Sequence, residues 1–178
     1  MSNFSRRGFL SVVSAGIAGL AVPRWVHAES AAVRALRFTH LHTGERLAVE
    51  YFSAGAYLPD ALRAIDHLLR DFRTGGVHAI DPGLLDLLHG LTGLTGSGRP
   101  FEVISGYRSP ATNQMLRSRS EGVAAGSLHQ QGRAIDIRLA DVPLASLRDA
   151  ALAARRGGVG YYPQSKFVHV DTGRVRTW

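Results

Sequence analysis

Apolar and polar positions alternate over residues 34–41 and again over residues 46–52, the period-two pattern of strands with one buried face. Between them His42-Thr43-Gly44-Glu45 supplies a glycine-containing turn, so the two segments predict a β-hairpin. The period then changes. Leu58, Ala61, Leu62, Ile65, Leu68, Leu69 and Phe72 recur at helical spacing, after Pro59-Asp60 and before Gly75-Gly76. A second apolar helix is predicted over residues 82–94, with Asp81 as its N-cap and Pro82 in its first turn. Residues 101–105 read as a short strand, 110–120 as a helix and 134–139 as a strand. A third main helix spans 143–155 with Leu144, Leu147 and Ala151 inward, and residues 159–162 and 166–170 close the chain as a hairpin. Helices come early and strands cluster late. The pattern predicts a single α+β domain, its N-terminal helices packed on a small antiparallel sheet.

Composition narrows the class. At 178 residues with 45% hydrophobic and 20% charged, the chain can build one core, is too apolar for disorder and too short for two full domains. It has no cysteine. That excludes a disulfide framework, a thiolate nucleophile and any cysteine-based zinc or iron–sulfur site, so a metal would have to be held by His, Asp and Glu.

The first residues read as an address. Ser5-Arg6-Arg7-Gly8-Phe9-Leu10 matches the twin-arginine export pattern. The uncharged run that follows, residues 8–22, is shorter than the roughly 20 residues a bilayer-spanning helix needs. Val26-His27-Ala28 then offers small residues for cleavage. Residues 1–28 are therefore expected to be a twin-arginine signal peptide and 29–178 the mature domain; an uncleaved membrane anchor is the alternative. The expected partner in export is the twin-arginine translocase, the destination the periplasm, with no stable membrane anchoring after cleavage. The whole chain carries a net charge of +7. Loss of Arg6, Arg7 and Arg24 with no acid leaves 18 basic against 14 acidic residues, net +4. That excess is too mild for a nucleic-acid partner and suits an anionic polymer such as the cell wall.

Three segments carry candidate chemistry. In Ser127-Leu128-His129-Gln130-Gln131-Gly132-Arg133-Ala134-Ile135-Asp136 a histidine precedes a strand aspartate by seven residues. Gly132 permits a tight turn into the strand, and Ala134, on the same face as Asp136, leaves room beside the carboxylate. Imidazole plus carboxylate suits zinc where no thiolate is present. In Phe167-Val168-His169-Val170-Asp171 the alternation puts His169 and Asp171 on one face, where a histidine from a late strand could complete a His-Asp-His site with an open fourth position. In Ile104-Ser105-Gly106-Tyr107-Arg108-Ser109-Pro110 a strand end turns into a helix start. Arg108 then lies in a loop, where a guanidinium could fork onto a carboxylate or an oxyanion.

Taken in order, Ser-Gly-Tyr-Arg-Ser at 105–109, Ser-x-His-x-x-Gly-x-Ala-x-Asp at 127–136 and His-x-Asp at 169–171 resemble a known superfamily. It is that of the zinc peptidases grouped with D-Ala-D-Ala carboxypeptidases, VanX-type dipeptidases and the hedgehog signalling domain. Arg73-Thr74-Gly75, Ile80-Asp81-Pro82, Gly157-Gly158-Val159-Gly160-Tyr161-Tyr162-Pro163 and Phe167 to Gly173 make the chain most similar to its murein endopeptidase K-like branch. The resemblance covers essentially the whole chain. It implies one zinc per chain, with His129 and Asp136 as the first two ligands. Arg108 would polarise the scissile carbonyl and contact substrate, and Ser127 would contact substrate.

The third ligand departs from the superfamily pattern. Relatives end in His-x-His or carry an acid three residues before the ligand histidine, whereas that position here is Lys166. Two registers follow. In the expected one, His169 binds zinc and Asp171 is a base or an acceptor behind it; in the alternative, Asp171 binds zinc and His169 carries the proton. The function implied is a zinc-dependent murein endopeptidase acting on peptidoglycan stem peptides, with the 3-3 diaminopimelate link as expected bond. A D,D-carboxypeptidase or dipeptidase and a non-catalytic, zinc-containing wall-binding module are the alternatives. His40, His42, His67, His78 and His89 read as surface or structural histidines.

Overall fold

A computed structural model describes residues 33–119 and 124–178. The expected signal segment 1–28, and the last residue of the helix expected over 110–120, lie outside the described residues. In chain order the elements are β1 (Arg34–His40), β2 (Arg46–Ser53), β3 (Ala56–Tyr57), α1 (Pro59–Leu68), α2 (Pro82–Thr95) and β4 (Phe101–Ser105). There follow α3 (Pro110–Arg117), a short 3-10 helix (Leu128–Gln131), β5 (Ala134–Arg138), α4 (Leu144–Ala154), β6 (Gly158–Tyr162), β7 (Phe167–Asp171) and β8 (Arg176–Thr177).

Local chemistry sets the boundaries. The Asp81 side chain accepts from the Gly83 amide at 2.8 Å to start α2, and Gly96, at φ 66°, ends it in the left-handed region. Ser109 caps α3 by accepting from the Thr112 amide. Helix α1 stops short of the expected residue 72 because its exit is claimed by tertiary bonds. The Leu69 carbonyl accepts from Tyr107 N at 2.8 Å, and Asp71 exchanges backbone bonds with Gly75 and Gly76.

The strands form one sheet in the order β3-β2-β1-β4-β5-β7-β6-β8. Neighbours are antiparallel except β1 with β4 and β6 with β8. The fold is α+β, as the pattern predicts, but the sheet is larger than the late strands alone suggest. Pairing of β1 with β4 joins the early hairpin to it. Two-residue strands such as β3 and β8, and the 3-10 turn, are too short to show a period.

The two faces of the sheet differ in chemistry. Leu36 and Phe38 of β1, Ile135 and Ile137 of β5 and Val168 and Val170 of β7 are buried in one core with Ile65 of α1, Leu84, Leu88 and Leu91 of α2 and Leu147 of α4. By alternation, Asp136 and His169, directly paired across β5 and β7, point to the other face. The chain between them runs through α4, which packs against α2, β6 and β7, so it adds to the core layer rather than roofing that face. Among the described residues no helix is long and apolar enough to cross a membrane.

Candidate metal centre

His129 is aimed by its short helix. Gly132 ends that turn at φ 65°, and a Cβ there would stand 2.1 Å from the Ala79 carbonyl oxygen, so glycine serves both the turn and the close approach. His129 Nδ1 lies 2.7 Å from the Gly106 carbonyl oxygen, and the Arg108 amide donates to the His129 carbonyl at 3.2 Å. A carbonyl only accepts, so Nδ1 carries the proton and Nε2 presents a lone pair.

That lone pair meets two more. His129 Nε2 is 3.1 Å from His169 Nδ1 and 3.3 Å from Asp136 Oδ1, and His169 Nδ1 is 2.9 Å from the same oxygen. The other ring nitrogen of His169, Nε2, lies 3.1 Å from Asp171 Oδ2. Asp171 is fully buried and also accepts from the Gly158 and Gly173 amides at 2.9 and 2.8 Å and from Arg176 at 2.7 Å. Burial opposes its charge, but the bonds from His169 and Arg176, with the two amides, hold its carboxyl well below the usual range. An ionised Asp171 takes the His169 Nε2 proton as a hydrogen bond, which turns Nδ1 toward His129 and Asp136.

Three buried donor atoms so directed fit a cation. A tetrahedral zinc with bonds of about 2.0–2.1 Å sets neighbouring ligand atoms roughly 3.3 Å apart. The ligand atoms of His129, Asp136 and His169 lie within 4.8 Å of one another, and the nearest pairings given above match that spacing. Burial pulls the His129 pKa down, consistent with a neutral imidazole. Asp136 is held well below the usual carboxylate range: burial opposes its charge, but its charged neighbours, the paired Arg108 guanidinium among them, outweigh it.

Arg108 borders the same carboxylate. Its Nε donates to Ser105 Oγ at 2.8 Å, and its Nη2 is paired with Asp136 Oδ2. The guanidinium is thereby fixed beside the three-ligand cluster with its side chain 14% exposed. Ser127 is the residue before the 3-10 helix and is half-buried at its entrance. Arg138, two residues along β5 from Asp136, donates from Nε to Glu102 at 2.5 Å.

Three of the other histidines, His40, His42 and His78, have structural surroundings. Buried His40 accepts at Nδ1 from the amides of His42 and Thr43 at 3.2 and 3.4 Å and holds the first hairpin turn. His42 stacks on Phe72 at 4.1 Å and His78 on Tyr107 at 4.8 Å.

Sequence reasoning missed Asp71, which accepts from Ser109 N and Oγ at 2.9 and 2.6 Å beside Arg108, and it missed Arg176. Neither sits in a recognisable spacing. The signal for Arg176 is indirect: Gly157-Gly158-Val159-Gly160 leaves room that a later segment must fill.

Comparison with known proteins identifies the family. Residues 28–178 match the family described as peptidoglycan L,D-endopeptidase MepK, within the M15 peptidases. The chain is 44% identical over 176 residues to peptidoglycan L,D-endopeptidase MepK of Escherichia coli strain K12, covering 98% of this chain and 97% of that protein. It is 49% identical over 146 residues to the probable peptidoglycan L,D-endopeptidase MepK of Haemophilus influenzae, 82% of this chain and 78% of that one.

Proposed function

Because the chain belongs to the peptidoglycan L,D-endopeptidase MepK family of M15 peptidases, we propose that it is a zinc-dependent enzyme that hydrolyses peptide cross-links of peptidoglycan, preferring the 3-3 link between two diaminopimelate residues. The observation that carries the metal is the convergence of three donor atoms, from His129, Asp136 and His169, in a buried cluster. The relatives' names specify an L,D bond, and a 3-3 link is a bond of that configuration. The absence of any lid between Asp136 and His169 supports a cleft open at both ends, as an endopeptidase needs.

In this reading His129 Nε2, Asp136 Oδ1 and His169 Nδ1 hold the zinc, which supplies a water of lowered pKa and a Lewis acid for the scissile carbonyl. Arg108 offers fixed N–H donors to the oxyanion that develops on that carbonyl, and both Arg108 and Ser127 contact the substrate. Of the two roles open to Asp171, its placement behind the His169 ring supports the acceptor that fixes tautomer and orientation. The partners are peptidoglycan stem peptides and, during export, the twin-arginine translocase; the working compartment is the periplasm, with residues 1–28 removed. No nucleic-acid partner and no lasting membrane anchor belong to this reading.

The test is digestion of purified dimeric muropeptides of defined linkage, with and without EDTA. The 3-3 dimers should fall to monomers, EDTA should stop this and added zinc restore it. Release of D-alanine with dimers intact would identify a carboxypeptidase instead. Wall binding without turnover would identify a binding module, and cleavage of 4-3 dimers alone would remove the 3-3 preference.

A further inference from the structure

Strand β6 is bare on the face that looks toward the metal cluster. Gly158 and Gly160 alternate on it, and Gly160 is paired directly with His169. The space is taken by the end of the chain. A Cβ on Gly158 would stand 2.4 Å from Arg176 Nη1, and one on Gly160 2.8 Å from both the Trp178 and the Tyr162 rings. The two glycines therefore admit Arg176 and Trp178 onto the sheet beside Asp171 and His169.

Trp178 is fixed there from several sides. Its amide donates to the Val159 carbonyl at 3.3 Å, and its carbonyl accepts from Tyr161 N at 3.1 Å. Its indole Nε1 donates to the Tyr162 hydroxyl at 2.6 Å, and the Arg176 guanidinium carbon sits 4.7 Å from the ring centroid. Tyr162 in turn stacks on Phe167 at 4.5 Å. The indole lies 5.3 Å from the His169 ring, yet Trp178 remains 48% exposed. A large aromatic held rigid but left half in water, next to a candidate metal ligand, has the character of a ligand-contact surface, since a purely structural ring gains more by burial. The mechanism above uses neither this ring nor Tyr162 and Phe167.

We propose that Trp178, backed by Tyr162 and Phe167, forms the wall of the substrate cleft on the β6 side and contacts the methylene chain of the stem-peptide residue beside the scissile bond. Trp178 is then a substrate-contact residue that sets affinity and selectivity, and it does not hold the metal. The inference rests on the reading of the site as a peptidoglycan peptidase. An aromatic wall suits an aliphatic side chain because it removes apolar surface from water with little loss of side-chain freedom.

The experiment measures kcat and KM on the cross-linked muropeptide dimer the wild type cleaves, together with zinc affinity by chelator competition. The proteins compared are the wild type, Trp178→Ala, Trp178→Phe and Gly160→Ala. A second readout needs no change at 178. The sequence has two tryptophans, and Trp25 lies in the expected signal segment, so in the mature protein of residues 29–178 Trp178 is the sole indole emitter, and the same dimer is titrated into this EDTA-treated protein.

Trp178→Ala is expected to raise KM about tenfold, with kcat and zinc affinity within about threefold of wild type. Trp178→Phe should recover most of the loss, Gly160→Ala should behave like Trp178→Ala, and Trp178 emission should shift on addition of the dimer. An unchanged KM in Trp178→Ala with emission unmoved by the dimer would overturn the wall while leaving the peptidase reading intact. Zinc affinity falling tenfold or more at an unchanged KM would also overturn it, making the ring a prop for His169. A wild type that neither binds nor cleaves any muropeptide would overturn the peptidase reading itself.

Discussion

Arg108 reaches the cluster from a loop, and the loop is held by a residue 37 positions earlier. Asp71 is 1% exposed and accepts from Ser109 N, Ser109 Oγ and Arg73 N, so it pins the residue next to Arg108. Burial alone would raise its pKa, but these hydrogen bonds, led by that from Ser109, bring it down to about 2 from the ordinary 3.8. A carboxyl whose pKa is depressed on folding stabilises the protein above its unfolded pKa, and that contribution is lost as pH falls through the folded value. The shift corresponds to about 2 kcal/mol, present in full above about pH 5 and gone near pH 2. Asp71→Asn should therefore be less stable to urea than wild type at pH 7, with the gap closing as pH falls from about 4 to 2. A gap constant over that range would show that the ionisation contributes nothing. Arg108→Ala acts on rate instead. With its fold intact by circular dichroism, it should lose about 100- to 1000-fold in turnover through the missing oxyanion contact. Activity surviving the change would remove Arg108 from that role.

At the scale of elements, the candidate ligands are delivered by a short 3-10 turn and two adjacent strands, and the turn is the least self-supporting of the three. Its exit depends on Gly132, where a left-handed φ coincides with a backbone approach to Ala79. Gly44 provides a control: its φ of 73° is similar, but a Cβ there would meet nothing within 4 Å. Gly44→Ala should therefore cost about 1 kcal/mol, the conformational penalty alone. Gly132→Ala should cost about 3 kcal/mol or more, and it should weaken zinc binding by displacing His129, because the clash adds to the penalty. Equal costs in urea unfolding, or zinc affinity unchanged in Gly132→Ala, would show that the approach to Ala79 is not what sets the histidine.

For the whole molecule, the division of labour between the two faces of the sheet governs what metal removal does. The core of leucine, isoleucine, valine and phenylalanine lies between the sheet and α1, α2 and α4, away from His129, Asp136 and His169. Chelation should therefore leave a folded protein with native far-UV circular dichroism and a cooperative transition. A metal bound at about a thousandfold above its dissociation constant adds about 4 kcal/mol. For a domain of this size that is roughly 10 °C in melting temperature. Unfolding at 25 °C on EDTA addition would show that the metal is a structural requirement.

Period, caps and motif order determined much of this protein. The alternation around Gly44, the helical spacing from Leu58 to Leu69 and the Asp81 and Ser109 caps are local, because side-chain period and orphan amides act within a few residues. They placed the main helices and strands, and the motifs at 105–109, 127–136 and 169–171 placed the candidate chemistry and the family. What the local pattern left open was decided by partners distant in sequence. Leu69 stops α1 by accepting from Tyr107, β1 enters the main sheet through β4, and Arg176 closes on Asp171 across a glycine-bared strand. The facing of His169 belongs to the same class. Both of its ring nitrogens are chemically able to meet a metal, and only packing that puts Asp136 on one side and Asp171 on the other directs Nδ1 into the cluster. A sequence specifies which donors exist; the tertiary structure assigns each lone pair its neighbour.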